Sequence, residues 1–125
     1  MPNLILVMLG GAIGAAFRYQ VGRIAAERLG HSFPWGTFTV NLVGSLLMGL
    51  LASVLAQAGR ASEPLLLFTG VGVLGGFTTF SAFSLETARM IERGDFATAA
   101  IYSVSSVLAG VAMLFVGLWV GRAAA

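Results

Sequence analysis

The sequence predicts an all-α membrane protein with four transmembrane helices, the third of which is broken near mid-membrane. Of the 125 residues, 58% are hydrophobic and only 10% are charged, and four apolar stretches alternate with short polar joints. A soluble domain carries about a quarter of its residues as charged side chains, so this surface has too few charges to face water. Each stretch has roughly the ~20 residues that a helix needs to cross a ~30 Å hydrocarbon layer.

The four spans and their joints are predicted to form a single domain over residues 1–125. The spans cover about residues 4–25, 35–56, 65–89 and 96–120. The joints carry turn residues and charges, such as Gly30 in the first joint and Gly59 and Arg60 in the second. The third joint, at residues 92–95, is so short that the helices on either side of it must be antiparallel.

Composition excludes several classes of function. With no cysteine and a single histidine, His31, thiol chemistry and zinc sites are ruled out. A net charge of +2 does not make a basic patch, so no nucleic-acid partner is expected. No acid pair and no Ser, His and Asp set stand at a usable spacing, so the chain is not predicted to be an enzyme. Gly70, Gly72 and Gly75 match a dinucleotide fingerprint in spacing, but membrane-length apolar stretches offer no strand to precede it.

Most of the 17 glycines are instead expected to let helices approach closely in lipid. Small residues recur at four-residue spacing in the pairs Gly10 and Gly14, Ser45 and Gly49, Gly72 and Gly76, and Gly117 and Gly121. The adjacent glycines at 75–76 fall ~15 Å into the third span, so we expect the helix to break there, near the midplane. Carbonyls freed at that depth are tolerated where they line an ion or water site, and they are cation ligands.

An aromatic pair and hydroxyl groups follow these glycines. Phe80 and Phe83 lie on one helix face, and Thr79, Ser81 and Ser84 surround them. Two such rings are often simple packing against lipid or a core. Because ring edges carry partial positive charge and hydroxyls can donate, the same group is also suited to an anion.

The other spans contribute polar groups as well. Asn41 lies inside the second span, with Ser45 one turn further on, and Tyr102 and Ser106 lie one turn apart in the fourth. A membrane-embedded Asn often only links helices, so an anion-contacting role and a structural role both remain open for Asn41. Arg18 is expected near an interface, and Glu86 is expected either at a helix end or at a pore mouth.

Positive charge is nearly balanced between the two sides of the predicted bundle. The side with the termini holds the amino terminus, Arg60 and Arg122. The other side holds Arg23, Arg28, Arg89 and Arg93, which Arg18 could join. Because arginine in loops sets the direction of insertion, this balance allows both orientations and hence an antiparallel homodimer. A single fixed orientation with a small bias remains the alternative.

Three segments together resemble the signatures of the bacterial fluoride channels, the Fluc or CrcB family. They are GGAIGAAFRY at 10–19, GTFTVNLVGS at 36–45 and GGFTTFSAFSLE at 75–86. The resemblance covers essentially the whole chain. It implies a dual-topology homodimer in the bacterial inner membrane, with two antiparallel pores through which fluoride leaves the cell passively.

The resemblance also implies roles for residues. The fluoride pore would be lined by Asn41, Thr79, Phe80, Ser81, Phe83, Tyr102 and Ser106, with Arg18 and Glu86 at its vestibule or mouth. The backbone carbonyls of Gly75 and Thr78 would hold a structural sodium ion that is not transported. The chain departs from the family pattern at Ala82 and Gly110, where a hydroxyl side chain is common.

Two other functions are compatible with four short spans. A small multidrug exporter has the same size, but proton-coupled export needs a titratable acid in the first helix, and residues 4–25 contain no Asp or Glu. In a purely structural membrane protein the aligned donors would have no purpose. The sequence therefore favours the fluoride channel.

Overall fold

Four helices, each long and apolar enough to cross a membrane, make up the fold. The computed structural model describes residues 2–57 and 63–124. The helical spans are Pro2–Leu29, Trp35–Gln57, Glu63–Glu92 and Phe96–Ala123, and no strand occurs among the described residues. The all-α, four-span prediction is therefore confirmed, with helices that extend beyond the apolar stretches at most ends. The predicted second joint, with Gly59 and Arg60, lies outside the described residues.

The spans pack in pairs through small residues. The second span lies along the fourth, and the first lies along the third. At Gly10 an added Cβ would lie 2.9 Å from the Cα of Gly72, and at Gly76 it would lie 2.6 Å from the carbonyl oxygen of Gly11. Gly49 and Gly117 have the same function between the second and fourth spans. The predicted close approach of small residues is confirmed.

The third span is the irregular one. After a short α-helical start, residues Leu66–Leu74 form a π-helix, and the N–H of Gly75 donates to the carbonyl of Gly70, five residues back. The α-helix resumes over Gly75–Phe77 and then stops, because Thr78 and Thr79 are extended. A second α-helix runs over Phe80–Glu92. Nothing in the sequence predicted the π-helical stretch.

The break is present, but its predicted position was wrong. Gly75 is helical, with φ −63° and ψ −38°, whereas Thr78 has ψ 159° and Thr79 has φ −152°. Of the two glycines, Gly76 serves instead for close packing, since it lies against the backbone of Gly11. The helix ends where Asn41 of the second span forms hydrogen bonds with the backbone of Thr79.

A substitution at Gly14 can test the packing of the first span on the third. A Cβ at Gly14 would lie 2.8 Å from the backbone nitrogen of Phe77, and backbone atoms cannot move aside cheaply. Overpacking of this kind costs about 1–3 kcal/mol, so Gly14→Ala is expected to lower the thermal unfolding midpoint in detergent. Gly22→Ala is the matched control, because nothing lies within 4 Å of its added Cβ. Equal midpoints for the two variants would contradict this packing.

Candidate functional site

A groove of about 340 Å³ lies beside the break, between the second, third and fourth spans. It collects side chains that are distant in sequence, and none of its lining residues is charged. Six of the predicted site residues line it: Asn41, Thr78, Thr79, Phe80, Phe83 and Ser106. The sequence-predicted constellation is thus largely brought together at one place.

Asn41 holds the broken backbone through two hydrogen bonds. Its Nδ2 donates to the carbonyl of Thr79 at 3.0 Å, and the N–H of Thr79 donates to its Oδ1 at 2.8 Å. In an unbroken helix the N–H of Thr79 would instead donate to the carbonyl of Gly75, four residues back. The amide therefore replaces the lost helical bonds, and the expected link between helices is present. One Nδ2 hydrogen remains for a further acceptor.

Thr79 also starts the second half of the third span. Its Oγ1 accepts from the N–H of Ala82 at 3.1 Å, which makes Thr79 the N-cap of the helix Phe80–Glu92. The amino end of a helix carries partial positive charge, and this end lies beside the groove. The hydroxyl of Ser81, which does not line the groove, is 3.3 Å from that of Thr79.

The two predicted phenylalanines have different surroundings. Their ring centroids are 5.7 Å apart. Phe80 is 79% exposed in the single chain, whereas Phe83 packs on the ring of Tyr102 at 5.0 Å. Tyr102 is fully buried and lies beneath the groove rather than on its wall. The Oγ of Ser106 is buried in the groove without a hydrogen-bond partner among the described residues.

Arg18 lies on the other side of the break. Its Nε donates to the carbonyl of Gly76 at 3.1 Å, so it contacts the third span instead of reaching only to the interface. It lines a second cleft of about 340 Å³, together with Thr37 and Ala82. Thr79 lines both this cleft and the groove. The groove and the cleft thus share one residue at the break.

Glu86 joins three spans on the side of the loops at 30–34 and 93–95. Its Oε2 accepts from Thr37 at 3.0 Å, and its Oε1 accepts from Tyr102 at 2.9 Å. It also lines a cleft of about 290 Å³ that includes Arg89 and Arg93. Thr37 was missed as a site residue, although its position one turn before Asn41 was a usable signal.

The carbonyls at the break are suited to a hard cation. No group of three or more His, Cys, Asp or Glu residues occurs in the described chain. Backbone carbonyl oxygens can serve as ligands in place of such a group, because hard cations prefer oxygen. The carbonyl of Gly75 has lost its helical donor to Asn41, and the extended ψ of Thr78 turns its carbonyl out of the helical direction. These two carbonyls fit the predicted sodium ligands.

Together these features define a class of protein: a multi-span membrane protein with an uncharged groove at a broken helix, in which a few polar groups are suited to a small ion. Comparison with known proteins gives the family. Residues 5–118 match the family model described as CrcB-like protein, Camphor Resistance (CrcB). The chain therefore belongs to the CrcB family and is a multi-pass bacterial membrane protein.

Curated relatives match over nearly their whole length. A protein of Novosphingobium aromaticivorans is 56% identical, with 100% of both chains covered. One of Hyphomonas neptunium is 54% identical over 98% of this chain and 97% of its own, and one of Agrobacterium fabrum is 48% identical over 98% of each. All three are named fluoride-specific ion channel FluC. Because these relatives are ion channels, membership in their family confirms the prediction that the chain is not an enzyme.

The two hydrogen bonds between Asn41 and Thr79 can be tested by measuring the thermal stability of variants. An ionised Asp in Asn41→Asp keeps an acceptor for the N–H of Thr79 but cannot donate to its carbonyl, which leaves a partly buried acceptor unpaired at a cost of about 1 kcal/mol or more. We expect a lower unfolding midpoint in detergent. Thr69→Val is the control, since its hydroxyl donates to Leu65 of its own helix. A midpoint as high as that of the unmodified chain would show that the amide does not hold the break.

Proposed function

We propose that this chain is the subunit of a fluoride-selective channel of the bacterial inner membrane, which lowers cytoplasmic fluoride by passive efflux. The observation that carries the proposal is the uncharged groove of donors around the broken third span. The names of full-length relatives supply the ion.

The chemistry of the groove suits fluoride. This ion holds its water tightly, so a selective path has to replace hydration with several modest donors. Asn41 has one amide hydrogen to spare, and the hydroxyl of Ser106 has no other partner among the described residues. The ring edges of Phe80 and Phe83 add partial positive charge without a net charge. An anion can therefore be bound at several places and still leave.

The functional unit is an antiparallel homodimer. In lipid, extended backbone is tolerated only where it is covered by protein or lines a water-filled space. Thr78 and Thr79 are extended, and the adjacent Phe80 is 79% exposed in the single chain. A second copy would cover this surface and complete the groove, and the balanced arginines allow it to insert in the opposite direction.

A sodium ion stabilises the dimer at its centre. The carbonyls of Gly75 and Thr78 from both subunits would hold it, and its charge would compensate carbonyl oxygens that the break leaves without donors. The ion is structural, because it would stay between the two subunits while fluoride passes along the hydroxyl, amide and ring-edge groups of the groove.

Fluoride efflux tests the function directly. Liposomes loaded with fluoride and containing the purified protein are expected to release it to an external fluoride electrode. Phe80→Ile removes a ring edge from the groove and is expected to lower the rate about tenfold or more, since each ~1.4 kcal/mol added to a barrier is a factor of ten. Phe115→Ile, at a side chain of the fourth span that is 63% exposed, is the matched control. Vesicles with folded protein that release no more fluoride than empty ones would refute the proposal.

Sodium dependence tests the cation. With sodium ~100-fold above its dissociation constant, the folded dimer is expected to gain about 2.7 kcal/mol relative to a solution of choline at equal ionic strength. The measurement is the thermal unfolding midpoint, with dimer content from cross-linking in the same samples. Identical midpoints and dimer content in the two salts would rule out a structural sodium ion.

A further inference from the structure

The groove extends beyond the predicted site residues along the second span. Ser45 lies one turn past Asn41 and lines the groove together with Ser106 of the fourth span. Two serines from facing helices thus share one space with the amide. Ser106 contributes a hydroxyl that is buried there without a partner among the described residues.

A hydroxyl in a membrane helix usually donates to a carbonyl of its own helix. Ser53 donates to Leu50 and Ser105 donates to Ile101 in this way. Within the described residues, Ser45 makes no such bond, so its proton is available to the groove. Ser45 and Ser106 therefore differ from Ser53 and Ser105 in the same way, and both of them line the groove.

Gly110 keeps the hydroxyl of Ser45 uncovered. It lines the groove on the fourth span, one turn beyond Ser106. An added Cβ at Gly110 would have only the Oγ of Ser45 within 4 Å, at 3.7 Å. The glycine is thus not required for helix packing, unlike Gly117 further along the same helix. Its effect is to leave open space directly in front of the serine.

We propose that Ser45 is a further anion-binding residue of the groove, and that Gly110 leaves its hydroxyl open to the ion. This proposal rests on the proposed fluoride channel and deepens it. Asn41, Ser106 and Ser45 then form a row of neutral donors that continues from the break towards the apolar end of the groove at Met48 and Leu114. An ion that leaves the amide meets the hydroxyl of Ser45 four residues, or about 6 Å, further along the second span.

The experiment compares fluoride efflux from liposomes for matched serine variants. Ser45→Ala is expected to lower the rate about tenfold, as the loss of one donor worth ~1.4 kcal/mol in the barrier would do. Ser45→Thr restores a hydroxyl and is expected to recover most of the flux. Ser105→Ala is the control, because its hydroxyl bonds its own helix, and it is expected to behave as the unmodified protein.

A second pair of variants works from the opposite helix. Gly110→Ala has room for its methyl group, which would lie over the hydroxyl of Ser45, and a loss of flux is expected. Gly110→Ser offers a donor at the same position and is expected to exceed Gly110→Ala. This pair decides the matter if Ser45→Ala does not give a folded dimer.

The outcomes separate this proposal from the channel itself. If the unmodified protein conducts and Ser45→Ala or Gly110→Ala conducts equally fast, the role of Ser45 is refuted while the channel stands. If the unmodified protein does not conduct, both proposals fail. A loss with both alanine variants, recovered by Ser45→Thr and absent in Ser105→Ala, supports the role of Ser45.

Discussion

The double hydrogen bond between Asn41 and the backbone of Thr79 is the interaction on which the rest of the site depends. A helix that breaks inside a membrane frees donors and acceptors that lipid cannot satisfy, at a cost of several kcal/mol each. The amide supplies one acceptor and one donor to the same residue. Arg18 occupies the carbonyl of Gly76, and the hydroxyl of Thr78 donates to Leu74. Side chains from three spans thus form hydrogen bonds with the backbone groups at or next to the break.

The break is also held from the side of the first span by close packing. Gly14 lies against the backbone of Val73 and Phe77, and Gly11 lies against Gly76. A helix held by backbone contacts on one face and by Asn41 on another has little freedom to slide or rotate. The position of Thr79, and with it the start of the helix that carries Phe80, is therefore set by two neighbouring spans rather than by the local sequence.

Features set by the local sequence could be predicted, whereas features set by contacts between distant spans could not. The four spans and the packing of small residues follow from apolar length and spacing, and both are confirmed. A break in the third helix was predicted from the glycines at 75–76, and it is present, but not at those glycines. The location of the break at Thr78–Thr79 does not follow from local sequence, because it depends on Asn41, 38 residues away, competing for the N–H of Thr79. Asn41, Phe80, Phe83 and Ser106 were predicted as one site and share the groove, whereas the buried Tyr102 lies beneath it. Which residue on a polar face reaches a groove depends on the rotation of each helix, and spacing alone does not give that angle.

The few charges within the spans are kept away from the groove, and this has a consequence for conduction. Arg18 donates to a carbonyl of the third span, and Glu86 accepts from Thr37 and Tyr102. A bare cationic group 4 Å from an anion would hold it by about 4 kcal/mol at an effective dielectric constant of 20, which lengthens the dwell time by about three powers of ten. A neutral donor contributes about 1 kcal/mol net, so an ion passed along several such donors is never held strongly at one of them. In the proposed channel, the low charge of the sequence therefore favours rapid release of the ion as well as insertion into lipid.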